Sequence, residues 1–129
     1  MAQHREQDLQ ISVIRYLRVV APDLLYWAVP NAIGIKNTAR AGALNKRMGV
    51  RAGVADLNFI LADGKAAFIE LKVEGAYQRP TQKAFQADVE ARGCAYVVCR
   101  SLDDVRVTLE EWGVPLRIAD SKTIDGRDT

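Results

Sequence analysis

The chain has 129 residues, 49% of them apolar and 26% charged, with a net charge of +2. That is enough for one domain with one core and no dependence on disulfide staples. No apolar run is long enough for a membrane span, and the polar N-terminus MAQHREQDLQ has no signal core, so the chain reads as a cytoplasmic protein.

In chain order, REQDLQISVIRYLRVV (5–20) predicts a helix, with Leu9, Val13, Leu17 and Val20 at helical spacing. Glu6 lies beside that apolar stripe, one turn before Leu9. Ala21-Pro22 ends the helix. LLYWAV (24–29) predicts a short strand stopped by Pro30. Trp27 in it reads as a core residue. A loop and then a helix over 38–48 follow, with Gly49 as the helix stop. Residues 54–61 and 65–73 predict two antiparallel strands joined at Ala62-Asp63-Gly64. The polar link EGAYQR (74–79) leads to a helix opening at Pro80 and stopping at Gly93. AYVVCR (95–100) predicts a buried strand, and Ser101 with Asp104 starts a last helix through LDDVRVTLEEW. The pattern describes an α/β domain over residues 1–115, a mixed sheet flanked by helices, followed by a polar, loose tail over 116–129.

Cys94 and Cys99 fall on opposite faces of one strand, which disfavours a mutual disulfide, and the region offers too few ligands for zinc. The lone histidine, His4, gives little support to Ser/His or Cys/His nucleophile schemes. Charge distribution says more. No acid occurs between Asp23 and Asp56, whereas Lys36, Arg40, Lys46, Arg47 and Arg51 do. Such a segment is either a solvated face or a phosphate-contacting surface.

In FIELKVE (68–74), Glu70 and Lys72 share one face of a strand. Register decides what joins them. A two-residue loop at 63–64 separates Asp56 and Glu70 onto opposite faces. A three-residue loop at 62–64, with Gly64 in the left-handed conformation such loops need, puts Asp56 opposite Glu70. The second register gathers Asp56, Glu70 and Lys72, with Asn58 and Phe68 as neighbours. Two carboxylates on one face repel unless a hard cation such as Mg²⁺ joins them. A backbone carbonyl such as that of Leu71 offers a further oxygen ligand. Bound metal acidifies water and neutralises charge on a phosphodiester, while Lys72 orients the water or stabilises the transition state. A salt-bridged hairpin without chemistry is the plain alternative.

The spacing D-x13-E-x-K, Asp56 with Glu70-Leu71-Lys72, resembles the PD-(D/E)XK nuclease superfamily. REQDLQISVIRYLR, YWAVPNAIG, KRMGVRAGVADL, FIELKVE and RPTQKAF, in that order over residues 5 to about 105, resemble the VRR-NUC (virus-type replication-repair nuclease) family in its stand-alone form. The resemblance implies a PD-(D/E)XK core and a Mg²⁺-dependent DNA endonuclease, with Mn²⁺ able to substitute. It also implies a homodimer acting on branched DNA such as Holliday junctions. Position by position, Glu6 matches the family's helix acid, a ligand through water. Asp56 and Glu70 match the metal carboxylates, Lys72 the catalytic lysine and Gln82 the glutamine at the head of the next helix. Asn31 matches a polar residue after the VP turn, a substrate contact alongside the basic segment. The family usually has Pro before the aspartate; here it is Ala55, which raises the question of how firmly Asp56 is held. A DNA-binding module without cleavage and a restriction-type nuclease on the same core are the competing expectations. Asp56 and Glu70 on opposite sheet faces would favour the former.

Overall fold

The computed structural model describes residues 2–30 and 38–118. Four strands form one sheet in the order β1 (Leu25–Ala28), β2 (Leu57–Ile60), β3 (Ala66–Leu71), β4 (Ala95–Cys99). β1–β2 and β2–β3 are antiparallel, and β3–β4 is parallel. The helices are α1 (Ala2–Val20), α2 (Ala39–Arg47), α3 (Pro80–Ala91) and α4 (Leu102–Glu111). The parallel pair needs a crossover, and α3 supplies it. This is the mixed α/β sheet that the sequence pattern predicts.

Alternation along the strands sorts the two faces. Leu57, Phe59, Ala67, Ile69, Leu71 and Cys99 point to one side, where Val13, Leu17 and Val20 of α1 and Val105 and Leu109 of α4 close the main core. Each fully buried Val, Leu, Ile or Phe in this set contributes about 1.5–3 kcal/mol, and Ala67 less. Phe68 and Tyr96 point to the other side and meet Phe85 of α3 in a smaller core with Ala55. The rings of Phe68 and Phe85 pack edge-on with centroids 5.2 Å apart, and Phe85 lies 6.2 Å from Tyr96. These contacts fix α3 over β3 and β4.

The hairpin has the predicted three-residue loop. Leu61 N–H donates to the Lys65 carbonyl at 2.9 Å, Gly64 takes φ +87°, and Ile60 pairs with Ala66. Leu57 pairs with Ile69, so the next step of the register sets Asp56 against Glu70.

Several expectations are corrected. The strands predicted over 54–61 and 65–73 are shorter, Leu57–Ile60 and Ala66–Leu71. Val54 and Ala55 leave the ladder to pack beneath α3. Trp27 is 47% exposed, not a core residue. It stands on the outer strand, where Tyr26 instead faces the core beside Phe59. Leu116 packs on the main core and Arg117 N–H donates to the Val20 carbonyl at 2.7 Å, so the tail is attached at its start. Cys94 and Cys99 are both free. Among the described residues no helix is long and apolar enough to cross a membrane.

Candidate active site

Asp56 is held from two sides by main chain. Its own carbonyl accepts from Val29 N–H at 2.9 Å, and its carboxylate Oδ2 accepts from Leu71 N–H at 2.8 Å. The second bond crosses to β3 and binds the Asp56 carboxylate to the strand that carries Glu70. Ala55, where the VRR-NUC pattern has Pro, is fully buried in the α3-side core. These two hydrogen bonds supply the anchoring of Asp56 without a proline.

Glu70 projects from the centre of the sheet toward α3 and is only 1% exposed. Its Oε2 accepts from Gln82 Nε2 at 2.7 Å and lies 3.9 Å from Lys72 Nζ. Its Oε1 is buried and has no hydrogen-bond partner among the described residues. A buried carboxylate oxygen without a donor is costly and rare. Protonation relieves that cost in part, and an oxygen-seeking cation would turn it into a bond.

Gln82 is itself aimed. Arg79, ahead of Pro80, has a side chain with no acceptor and cannot cap α3 in the usual way. Arg79 N–H instead donates to Gln82 Oε1 at 2.7 Å. With its oxygen engaged there, Gln82 turns its NH₂ to Glu70. Burial is the main reason that the Glu70 carboxyl is pushed up to about 8; repulsion from Asp56 adds to it, Lys72 opposes it, and Glu6 adds a smaller repulsion. Without a cation, Glu70 is therefore largely protonated at neutral pH. Lys72 is buried too, and its N–H donates to the Cys99 carbonyl at 3.0 Å, carrying the β3–β4 pairing past Leu71.

The sequence-predicted residues thus fall into groups. Asp56, Glu70, Lys72 and Gln82 converge, with the Leu71 main chain between them. Glu6, half-buried on α1, lies within electrostatic reach of Glu70. Arg40, Lys46 and Arg47 are exposed on α2, which has no buried residue and packs against no other helix or strand among the described residues. Arg51 is engaged elsewhere: it pairs with Asp88 at 2.7 Å and sits 5.4 Å from the Phe85 ring centre, bracing the loop against α3. Asn31 and Lys36 lie outside the described residues. Among the described residues no three His, Cys, Asp or Glu side chains cluster as a metal cage. The donor set is two carboxylates and main chain, which suits Mg²⁺ rather than zinc.

Two contributors were not singled out from sequence. Arg79 orients Gln82 through its backbone, and the Pro at the helix start with Gln three residues beyond the cap was the available signal. Gly53 takes φ +83° directly against the start of α3, where a methyl group would overlap the Thr81 carbonyl and stand 2.7 Å from Gln82 N. Nothing in RAGVAD announces that neighbour. A separate cavity of about 680 Å³, lined by Leu24, Ile60, Leu61, Trp112 and Val114, lies at the opposite end of β2 and holds none of these groups.

No protein-family model and no curated protein matches the sequence. Among solved structures, one described as "VRR_NUC domain protein" matches with a TM-score of 0.57 at 24% identity. The match covers 83% of this chain and 86% of that chain. Its extent takes in most of both chains, so the likeness is one of whole architecture rather than of a single hairpin. With its mixed four-stranded sheet between α1–α4 on one side and α3 on the other, the chain has the VRR-NUC fold.

Proposed function

We propose that the protein is a Mg²⁺-dependent DNA endonuclease that hydrolyses phosphodiesters in branched DNA. One observation carries the reading: buried Glu70 keeps Oε1 without a donor, beside Asp56 and Lys72 on the same side of the sheet. Asp56, Glu70 and the Leu71 carbonyl would hold the ion, with Glu6 contributing through water. When bound, Mg²⁺ would acidify water and offset the charge of the phosphate. Lys72 then supplies a fixed ammonium to steady the negative charge that grows on the phosphate oxygens. Gln82 keeps Glu70 Oε2 occupied, so that Oε1 is the oxygen presented. Arg40, Lys46 and Arg47 on exposed α2 would face the DNA backbone, and Lys36 and Asn31, which precede them in sequence and lie outside the described residues, would add to that contact. Backbone contacts favour recognition by shape, and a homodimer would place two such sites about a two-fold axis, as a Holliday junction requires.

The test is cleavage of a four-way junction, a flap and a linear duplex with Mg²⁺, Mn²⁺ or EDTA. Cutting should need the metal, favour the branched forms and vanish in Asp56→Asn. Cutting that persists in EDTA or in that variant defeats the mechanism.

A further inference from the structure

The link between the end of β3 and the start of α3 is short, is held tightly, and carries an aromatic ring pointing outward. Lys72 lies five residues before Tyr77, and Gln82 five residues after it. One guanidinium nitrogen of Arg100, on the neighbouring strand end, donates to the carbonyls of both Val73 and Ala76 at 2.8 Å. Ala76 N–H also donates to the Val73 carbonyl at 3.1 Å, and Gly75 takes φ +85° to make the turn. Beyond the ring, Gln78 Nε2 donates to Gln86 Oε1 at 3.0 Å and to the Tyr96 hydroxyl at 3.2 Å. The chain is thus fastened through its main-chain carbonyls just before Tyr77 and through the Gln78 side chain just after it.

Tyr77 itself is 81% exposed. A surface loop that only joins two elements has no need of both a pinned backbone and a solvated ring of that size. Exposed Arg79 and Lys83 follow it, neither of them in a close ion pair among the described residues, although Arg79 acts on Glu70 at longer range, while Glu74 is the acid on the loop. A flat aromatic ring followed by solvent-exposed cations matches a nucleobase with its phosphates.

We propose that Tyr77 is a base-stacking residue that recognises an unpaired base of the DNA beside the Glu70 site, with Arg79 and Lys83 taking the adjoining phosphates. This rests on the nuclease reading and adds the feature its substrate must carry, a base free of its complement. A pre-ordered ring stacks with little loss of conformational freedom, which a floppy loop would not allow.

Binding is read separately from cutting by using protein silenced with Glu70→Gln. Two DNAs of equal length serve as probes, one fully paired and one with a flap whose first unpaired base is 2-aminopurine. Adding Tyr77→Ala should weaken binding to the flap about tenfold and to the paired duplex by less than about twofold. The same change should remove the quenching of 2-aminopurine. Tyr77→Phe should keep both, because stacking uses the ring and not the hydroxyl. Equal losses on the two DNAs, no loss on either, or an equal loss with Phe overturns the proposal. Should wild-type protein cut no DNA while this pattern holds, the nuclease reading fails and the stacking site stands.

Discussion

Replacing Glu70 by Gln should stabilise the metal-free protein, and by an amount that depends on pH in a defined way. The Glu70 carboxyl rises from 4.5 to about 8 on folding, chiefly through burial and the nearby Asp56 carboxylate. Below pH 4.5 the group is protonated folded or unfolded and has no effect. Above that, the unfolded chain loses the proton while the folded chain keeps it, so rising pH favours unfolding until the folded group ionises near pH 8. At about 1.4 kcal/mol per pH unit the loss is about 3 kcal/mol at pH 7 and about 5 kcal/mol when complete. Against a total stability of about 5–15 kcal/mol this is a large share. Gln cannot ionise and can still accept from Gln82 Nε2. Urea unfolding in EDTA from pH 5 to 9 should therefore show Glu70→Gln matching wild type near pH 5 and exceeding it by several kcal/mol at pH 8. Added Mg²⁺ should stabilise wild type at pH 8, by binding the ionised carboxylate, and leave Glu70→Gln nearly unmoved. Parallel profiles for the two proteins across that range would refute the assignment of a buried, proton-holding Glu70.

Three other changes probe the supports of the site. Gly53→Ala should cost about 3 kcal/mol, because it combines a left-handed backbone with a methyl group driven into the Thr81 carbonyl. It should also lower Mg²⁺ affinity by moving Gln82 off Glu70, and thermal melts with metal titration check both. Lys72→Ala should slow cleavage at least about a hundredfold while DNA binding changes little, measured by single-turnover cutting beside a binding titration; unchanged cutting removes the role assigned to Lys72. Trp27 stands across the register from Asn58, on the Glu70 side of the sheet, whereas Trp112 packs into the main core against Phe59. DNA binding should quench tryptophan emission in wild type and not in Trp27→Phe, and retained quenching would place the DNA elsewhere.

Local signals in this sequence were strong wherever the physics was local. Helix starts at Pro80 and Ser101, the left-handed Gly64 and the alternation of the strands were legible from neighbours in the chain. The hairpin register followed from them, and with it the meeting of Asp56 and Glu70, since a three-residue loop leaves no other pairing. Trp27 departs from the core expectation because its burial depends on whether another strand lies outside β1. In sequence Arg51 is one more cation of the basic segment; only packing brings it to Asp88 and Phe85, on a helix more than thirty residues away. The Gln82–Glu70 bond, the close approach of Gly53 and the unpartnered Oε1 likewise exist only once α3 lies across the sheet. Short-range sterics and hydrogen bonding determine which elements form and which side chains share a strand face. Desolvation, and the orientation of one helix over that face, belong to the packed whole, so only the tertiary structure decided that Glu70 became a buried acid with a raised pKa and an unpartnered oxygen among the described residues.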